Sequence, residues 1–178
     1  MRTTNPVERA LQRQKLSPPL MNVAKQGSRG RDLVPLIQAM DLRKFFVIVG
    51  MDLFFWDTVL PPFKPSLPEI ERLCRVAEVR RIPLLPGTVS DLSVPALQLS
   101  LKKVNEQMRC AVEQRPFCRI LDLYKINELI LEEDGFTLDN RHYEISTVAP
   151  DGIHLSSAAS AYLGVKILEF ICEPFPER

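Results

Sequence analysis

The sequence lacks the features that mark several classes of protein. No apolar run approaches the roughly 20 residues that a membrane-spanning helix needs, and the polar, charged residues 1–14 do not resemble a signal peptide. The formal net charge is only +1, so charge gives no reason to expect binding to nucleic acid or to an anionic membrane. We therefore predict no transmembrane segment and no nucleic-acid partner.

Cysteine and histidine are too few and too scattered to predict a metal centre. The chain has four cysteines and two histidines, with no Cys-x-x-Cys pair and no spacing suited to zinc. Cys74 and Cys110 fall in helical patterns and Cys118 adjoins a strand, which predicts buried free thiols. His142 lies in a polar turn without a second ligand in range, and we expect it to be exposed. We expect neither metal nor cofactor, and free thiols favour a cytoplasmic location for the chain as given.

Length and composition are those of one ordinary globular domain. The 178 residues are 46% apolar and 25% charged, which supplies enough apolar material for one sizeable core. The sequence contains no internal repeat, low-complexity tract or linker. We therefore predict a single domain over residues 1–178, and the sequence leaves its oligomeric state open.

The hydrophobic pattern alternates between strands and helices. Short apolar runs predict strands at residues 19–24, 44–49, 82–86 and 119–123. Amphipathic segments predict helices at residues 5–15, 31–40, 66–80, 95–114, 126–132 and 157–172. Residues 51–64 are predicted to form a long loop, and residues 136–146 a small hairpin with its turn at 140–142. Strands that alternate with helices over short links predict a parallel α/β sheet.

A carboxylate and a histidine precede the last predicted helix in the pattern Asp-x-x-His. Asp151 lies three residues before His154, in the segment Asp151-Gly-Ile-His154-Leu-Ser. An imidazole can take a proton from a nucleophile while a carboxylate fixes its tautomer, so this pairing suits a hydrolytic dyad. The alternative is a solvated turn whose polar residues cap the following helix.

Two glycines follow predicted strands, at the place where functional groups of parallel sheets collect. Gly27 ends the segment Asn22-Val-Ala-Lys-Gln-Gly27, and Gly50 is followed by Met51 and Asp52. Together with the Asp-x-x-His segment, these two turns resemble the motif blocks of the SGNH (GDSL-type) hydrolases. That family contains esterases, lipases, thioesterases and carbohydrate deacetylases.

The resemblance extends from about Asn22 to Phe170 and implies both a fold and a function. The implied fold is a three-layer α/β/α, flavodoxin-like parallel sheet. In the implied site His154 is the general base, Asp151 orients it, and the Gly27 backbone N–H donates to the oxyanion. The implied substrate is a small-molecule, lipid or carbohydrate ester, and no cofactor is implied.

The segment that resembles the third motif block lacks the family's oxyanion asparagine. Met51 or Asp52 stands at or next to that place. An ionised carboxylate cannot donate a hydrogen bond to an oxyanion, and loss of one such donor typically costs about 10²–10³ in rate. A protonated Asp52 or the Trp56 N–H would be a substitute, and Asp57 is a further polar candidate in the same stretch. The alternative is a hydrophobic loop that covers the site.

The family's nucleophile block, Gly-Asp-Ser, occurs nowhere in the sequence. Ser28 and Ser90 each follow a predicted strand but not at the family's nucleophile position, so the nucleophile is unassigned. In the family this block follows the first strand, which lies in the middle of the sheet. We therefore expect an N-terminally shortened version of a longer protein, with Met1 an internal methionine and the compartment of the intact protein open.

The sequence thus predicts an SGNH-type serine ester hydrolase whose nucleophile lies outside the visible residues. The alternative is a non-catalytic SGNH-like binding or interaction protein with the same sheet. A weaker alternative is a nucleotide-binding module that uses the turn from Gly27 to Gly30 as a phosphate nest, although that turn lacks the Gly-x-Gly-x-x-Gly spacing.

Overall fold

The fold is described from a computed structural model that covers residues 6–15, 20–23, 27–51, 53–59, 66–89, 98–113, 115–150 and 155–173. The chain divides into two compact units. Residues 23–124 and 175–178 form the first, here called the sheet unit, and residues 1–22 and 125–174 form the second, the hairpin unit. A single domain over residues 1–178 stays a prediction.

Helices dominate both units. The described helices are α1 (Pro6–Arg13), α2 (Gly30–Ala39), α3 (Phe55–Val59), α4 (Leu67–Arg80), α5 (Gln98–Val112), α6 (Leu123–Glu132) and α7 (Ser157–Cys172). The described strands are β1 (Ile48–Gly50), β2 (Leu84–Pro86), β3 (Gly135–Leu138) and β4 (Arg141–Glu144). Short 3₁₀ turns cover Leu42–Lys44 and Ile145–Thr147. Among the described residues, no helix combines the length and apolar character that crossing a membrane requires.

Hydrophobic periodicity predicts all of these helices except α3. This helix lies inside residues 51–64, which were expected to form a loop, so that prediction is wrong at Phe55–Val59. Five residues span little more than one helical turn, which is too short for a period of 3.6 to show in the sequence.

In the sheet unit, β2 lies between two parallel neighbours. β1 pairs with β2 in parallel, with Ile48 opposite Leu84. On the other side of β2, parallel bridges join Leu84 to Cys118 and Gly87 to Leu121. Parallel pairing is therefore confirmed for the second and third predicted strands, which are shorter than expected: β1 covers residues 48–50 instead of 44–49, and β2 covers residues 84–86 instead of 82–86. The fourth, predicted at residues 119–123, forms no regular strand and meets β2 only through these isolated bridges, because α6 already begins at Leu123. The unit is of mixed α/β type. The three-layer, flavodoxin-like arrangement stays a prediction.

The first predicted strand is wrong over its described part. Residues 20–23 belong to no strand, and the side chains of Leu20 and Met21 are 46% and 55% exposed. An apolar run becomes a buried strand only where neighbouring strands take up its N–H and C=O groups. Among the described residues, none pairs with this segment.

The helix α4 illustrates how the sequence builds the core of the sheet unit. Pro68 occupies the first turn, where its missing N–H costs no helical hydrogen bond. The apolar side chains recur at helical spacing and are buried against α2 and α5, as Ile70, Leu73, Cys74 and Ala77. Arg81 ends the helix in the left-handed conformation, with φ of 51°.

In the hairpin unit, β3 and β4 form the predicted antiparallel hairpin. Its turn is Asp139-Asn140 rather than residues 140–142, because both residues have positive φ, 53° and 62°. A two-residue turn with positive φ at both positions matches the twist of the strands it joins. His142 consequently lies on β4 instead of in the turn, and it is exposed as expected.

The helices α1 and α7 pack closely in the hairpin unit. A Cβ atom at Gly164 would overlap the Pro6 carbonyl oxygen and would lie 2.9 Å from the Ala10 Cβ atom. Glycine therefore lets the two helices approach. On the hairpin, the Phe136 ring stacks on Tyr143, with ring centroids 5.1 Å apart.

All four cysteines are free, as the sequence predicts. Cys74 and Cys118 are buried in the core of the sheet unit, but Cys110 is exposed. The expectation of burial was wrong for Cys110 because the core stripe of α5 runs through Leu101, Val104 and Met108, which leaves Cys110 on the outer face.

Candidate functional site

The carboxyl end of the parallel sheet carries two glycines. Gly50 is the last residue of β1, and its carbonyl oxygen accepts a hydrogen bond of 2.9 Å from the Gly87 N–H, just after β2. A Cβ atom at Gly87 would lie 2.8 Å from the Leu123 Cδ1 atom and 3.1 Å from the Gly50 oxygen. The backbones therefore approach closely at the edge where parallel α/β sheets bind their ligands.

Gly27 has a backbone conformation that suits a glycine turn. Its φ is +75°, it is exposed, and a Cβ atom there would meet no atom within 4 Å. In the described part of the chain its N–H donates to no acceptor. An exposed, unused N–H is what an oxyanion donor requires. The role of Gly27 as that donor stays a prediction.

Asp57 ties the turn that contains Gly27 to the segment after β1. The buried Asp57 carboxylate accepts a hydrogen bond of 2.8 Å from the Gly30 N–H, at the start of α2. The Phe54 ring packs directly against Gly30, where a Cβ atom would overlap the Phe54 Cε1 atom. Gly30, just beyond the Gly27 turn, is therefore in contact with Phe54 and Asp57, which follow the segment that resembles the third motif block.

The surroundings of Asp57 shift the pKa of its carboxyl group. Burial raises the pKa of the Asp57 carboxyl above its ordinary value, while the Gly30 N–H and the charge of Arg29 act against that shift. A second carboxylate, that of Asp32, accepts a 3.0 Å hydrogen bond from the Arg29 N–H at the same helix start. Both carboxylates therefore lie at the positive, N-terminal end of α2. Asp57 thus caps this helix and does not stand open to a ligand.

A polar network at the same end of the sheet escaped the sequence analysis. The buried Thr88 hydroxyl donates to Asp122 at 3.1 Å and accepts from the Tyr124 N–H at 2.8 Å. The other oxygen of Asp122 accepts a 2.8 Å hydrogen bond from Arg109. Thr88 and Asp122 directly follow Gly87 and Leu121, which are paired by a parallel bridge. A polar residue at that position was the sequence signal that could have identified this network.

A buried asparagine fixes the loop after β2. The Asn105 side chain accepts from the Val89 N–H at 2.7 Å and donates to the Val89 carbonyl oxygen at 2.9 Å. Both backbone groups of Val89 are satisfied by one amide, so α5 holds the loop that continues from Thr88. Asn105 lies on the core stripe of α5, where a polar residue among apolar ones signals a buried partner.

Several predicted site residues fall outside the described residues. These are Asp52, Ser90, Asp151 and His154. The meeting of Asp151 with His154, and the doubtful place of Asp52 in an oxyanion site, therefore stay predictions. The described helix α7 does begin at Ser157, three residues after His154, as expected.

Two further candidates lie in the sheet unit. Ser28 is half-buried in the turn after Gly27, and Trp56 is half-buried on α3 with its ring edge-to-face against Phe55. Within the described ranges, His, Cys, Asp and Glu side chains form no group of three or more that could hold a metal ion.

Two comparisons with known proteins found no match. The chain matches none of the protein-family models and no curated protein at a significant level. The resemblance to SGNH hydrolases thus depends on the motifs in this sequence alone.

Proposed function

We propose that the protein is an SGNH-type ester hydrolase in which Asp151 and His154 activate a serine hydroxyl. The observation that carries the proposal is the hydrogen bond between the Gly30 N–H and Asp57. It joins the Gly27 turn to the segment after β1, and both lie in the unit that contains the parallel sheet. This contact supports the proposal, because it keeps the residues that follow the second and third motif segments close together.

The chemistry follows from the two side chains of the dyad. His154 takes the proton of the serine hydroxyl as the oxygen attacks the ester carbonyl carbon, and Asp151 stabilises the imidazolium that forms. His154 then returns the proton to the departing alcohol. Water hydrolyses the acyl-enzyme by the same steps. The Gly27 N–H donates to the carbonyl oxygen while that oxygen is negatively charged.

A second function is a non-catalytic binding or interaction protein with the same fold. It is favoured by the absence of Gly-Asp-Ser from the 178 residues. The two functions differ in whether a serine hydroxyl is activated, and a covalent probe measures that directly.

A fluorophosphonate probe with identification of the labelled residue by mass spectrometry separates the two. The chain extended upstream in its reading frame should be labelled at a serine, and the His154→Ala variant should not. Label on Ser28 or Ser90 would contradict our view that these are turn residues. Absence of label from every form would favour the binding protein.

A further inference from the structure

Two cysteines of the sheet unit, here called the thiol pair, lie side by side in its core. Cys74 is on α4, and Cys118 is on the segment that forms a bridge to Leu84 of β2. Both belong to the same cluster of buried side chains, and they are 1% and 8% exposed. The Cys118 thiol donates a hydrogen bond to the Cys74 sulfur. The two sulfur atoms are therefore neighbours, although they come from different elements of the fold.

An ion pair holds together the two elements that carry these thiols. Glu78 lies one helical turn after Cys74, on the same side of α4. Its carboxylate pairs with Arg115 at 2.9 Å, and the Arg115 carbonyl oxygen accepts a hydrogen bond of 3.2 Å from the Cys118 N–H. Each partner of the ion pair is thus close in the chain to one cysteine. The ion pair keeps the sulfur atoms together by contacts that do not involve the thiols.

The surroundings of the thiol pair favour the loss of one proton. The hydrogen bond from Cys118 lowers the pKa of Cys74, against an opposing effect of burial, and the positive charge of Arg115 lowers that pKa further. The same hydrogen bond raises the pKa of Cys118. The pair therefore titrates as a unit in which one proton is lost and the other is shared between the two sulfurs. A thiolate is the form of cysteine that reacts with oxidants.

Cys118 connects the thiol pair to the surface. It lines a surface depression together with the exposed Cys110, whereas Cys74 is not among the described residues that line this depression. A small oxidant that enters the depression therefore meets Cys118 first.

We propose that Cys74 and Cys118 form a redox-active pair that hydrogen peroxide converts into a disulfide. The shared proton moves to Cys74, and the Cys118 thiolate attacks one peroxide oxygen. The O–O bond breaks, Cys118 becomes a sulfenic acid, and the other oxygen leaves as hydroxide and takes up a proton to become water. The Cys74 sulfur then attacks the Cys118 sulfur, the S–O bond breaks, and the hydroxyl group leaves with the Cys74 proton as a second water.

The overall reaction oxidises two thiols to one disulfide and reduces one peroxide to two waters. A dithiol reductant reverses it by thiol–disulfide exchange. The reaction does not involve Asp151 or His154, so it is tested without any assay of ester hydrolysis.

Peroxide treatment of the folded 178-residue chain, then alkylation of the remaining thiols and mass spectrometry of its peptides, tests the proposal. A protease that cleaves after glutamate separates Cys74, Cys110 and Cys118 into the peptides 72–78, 107–113 and 114–128. We expect the first and third peptides to be joined by a disulfide that dithiothreitol reverses. A link between Cys110 and Cys118 would overturn the proposal. So would a Cys74 and a Cys118 that are both alkylated, or that are oxidised without this link.

Three variants, each checked for folding by circular dichroism, assign the roles of the thiols. In Cys74→Ser the sulfenic acid on Cys118 has no thiol to attack it, so dimedone should label Cys118 after peroxide treatment. The absence of this label would overturn the assignment of Cys118 as the first thiol to react. Cys118→Ser should leave Cys74 reduced and open to alkylation after unfolding. Cys110→Ser, at an exposed cysteine, is the matched control and should form the disulfide as the unmodified chain does. If the two core variants fail to fold, loss of the link in Cys110→Ser would still contradict the proposal.

Discussion

The substitution Asp57→Ala should destabilise the sheet unit by about 2 kcal/mol. It removes the acceptor of the 2.8 Å hydrogen bond from Gly30, and Gly30 is itself buried. A buried N–H left without a partner costs about 1–3 kcal/mol, and loss of a carboxylate from a helix N-terminus adds about 0.3–1 kcal/mol. Removal of a buried charge offsets part of this sum.

Urea unfolding followed by circular dichroism measures this loss. With a slope of about 2 kcal/mol per M, the midpoint should fall by about 1 M. Asp57→Asn is the matched control, because its side-chain oxygen can still accept from Gly30 while the charge is gone. It should cost clearly less than Asp57→Ala. A midpoint for Asp57→Ala equal to that of the unmodified chain would refute the capping role of Asp57.

The unmodified chain and the Asp57→Asn variant should also differ in how their stability depends on pH, and the sign of that difference is predicted. Because burial raises the pKa of Asp57 in the folded state, the folded chain binds its proton more tightly than the unfolded chain. The stability that Asp57 contributes is therefore greatest below its unfolded pKa of about 3.8 and falls as the pH rises through the folded pKa. The difference in unfolding free energy, unmodified chain minus Asp57→Asn, should decrease as the pH is raised from about 3 to about 7. An increase over that interval would contradict the sign of the shift.

Two other substitutions probe the same end of the sheet, and both are measured by urea unfolding. Asn105→Ala leaves the N–H and C=O groups of Val89 without partners and should cost about 2–4 kcal/mol, whereas Glu106→Ala, on the exposed face of α5, should stay within about 0.5 kcal/mol. Gly30→Ala places a methyl group against the Phe54 ring and should cost about 1–3 kcal/mol by overpacking; a cost near zero would show that the ring moves aside freely.

Hydrophobic patterns that extend over many residues predicted most of the fold. The stripe of α5 is long enough to show the helical period, and it forms the expected helix. The continuous apolar run before Gly50 forms a strand as expected, but only over residues 48–50. Residues 20–23 are also mostly apolar but form no strand, because strand formation depends on partners that a single segment does not reveal. Local pattern therefore predicted helices more reliably than strands.

The candidate site was predictable only in part, for a similar reason. The Gly27 turn follows from local glycine chemistry, and its positive φ agrees with that reasoning. The hydrogen bond between Asp57 and Gly30 joins residues 27 positions apart, so no motif spacing indicates it. Thr88 and Asp122 lie on neighbouring paired segments and form a hydrogen bond. That contact depends on the register of the pairing, which the sequence pattern does not show.

The most direct test of the central claim is hydrolysis of p-nitrophenyl acetate by three proteins assayed side by side. These are the 178-residue chain, the chain extended upstream in its reading frame, and the extended chain with His154→Ala. We predict little or no turnover by the first, turnover by the second, and its loss in the third, because a general base without a positioned hydroxyl cannot form an acyl-enzyme. No activity in the extended chain, or activity that survives His154→Ala, would contradict the proposed hydrolase.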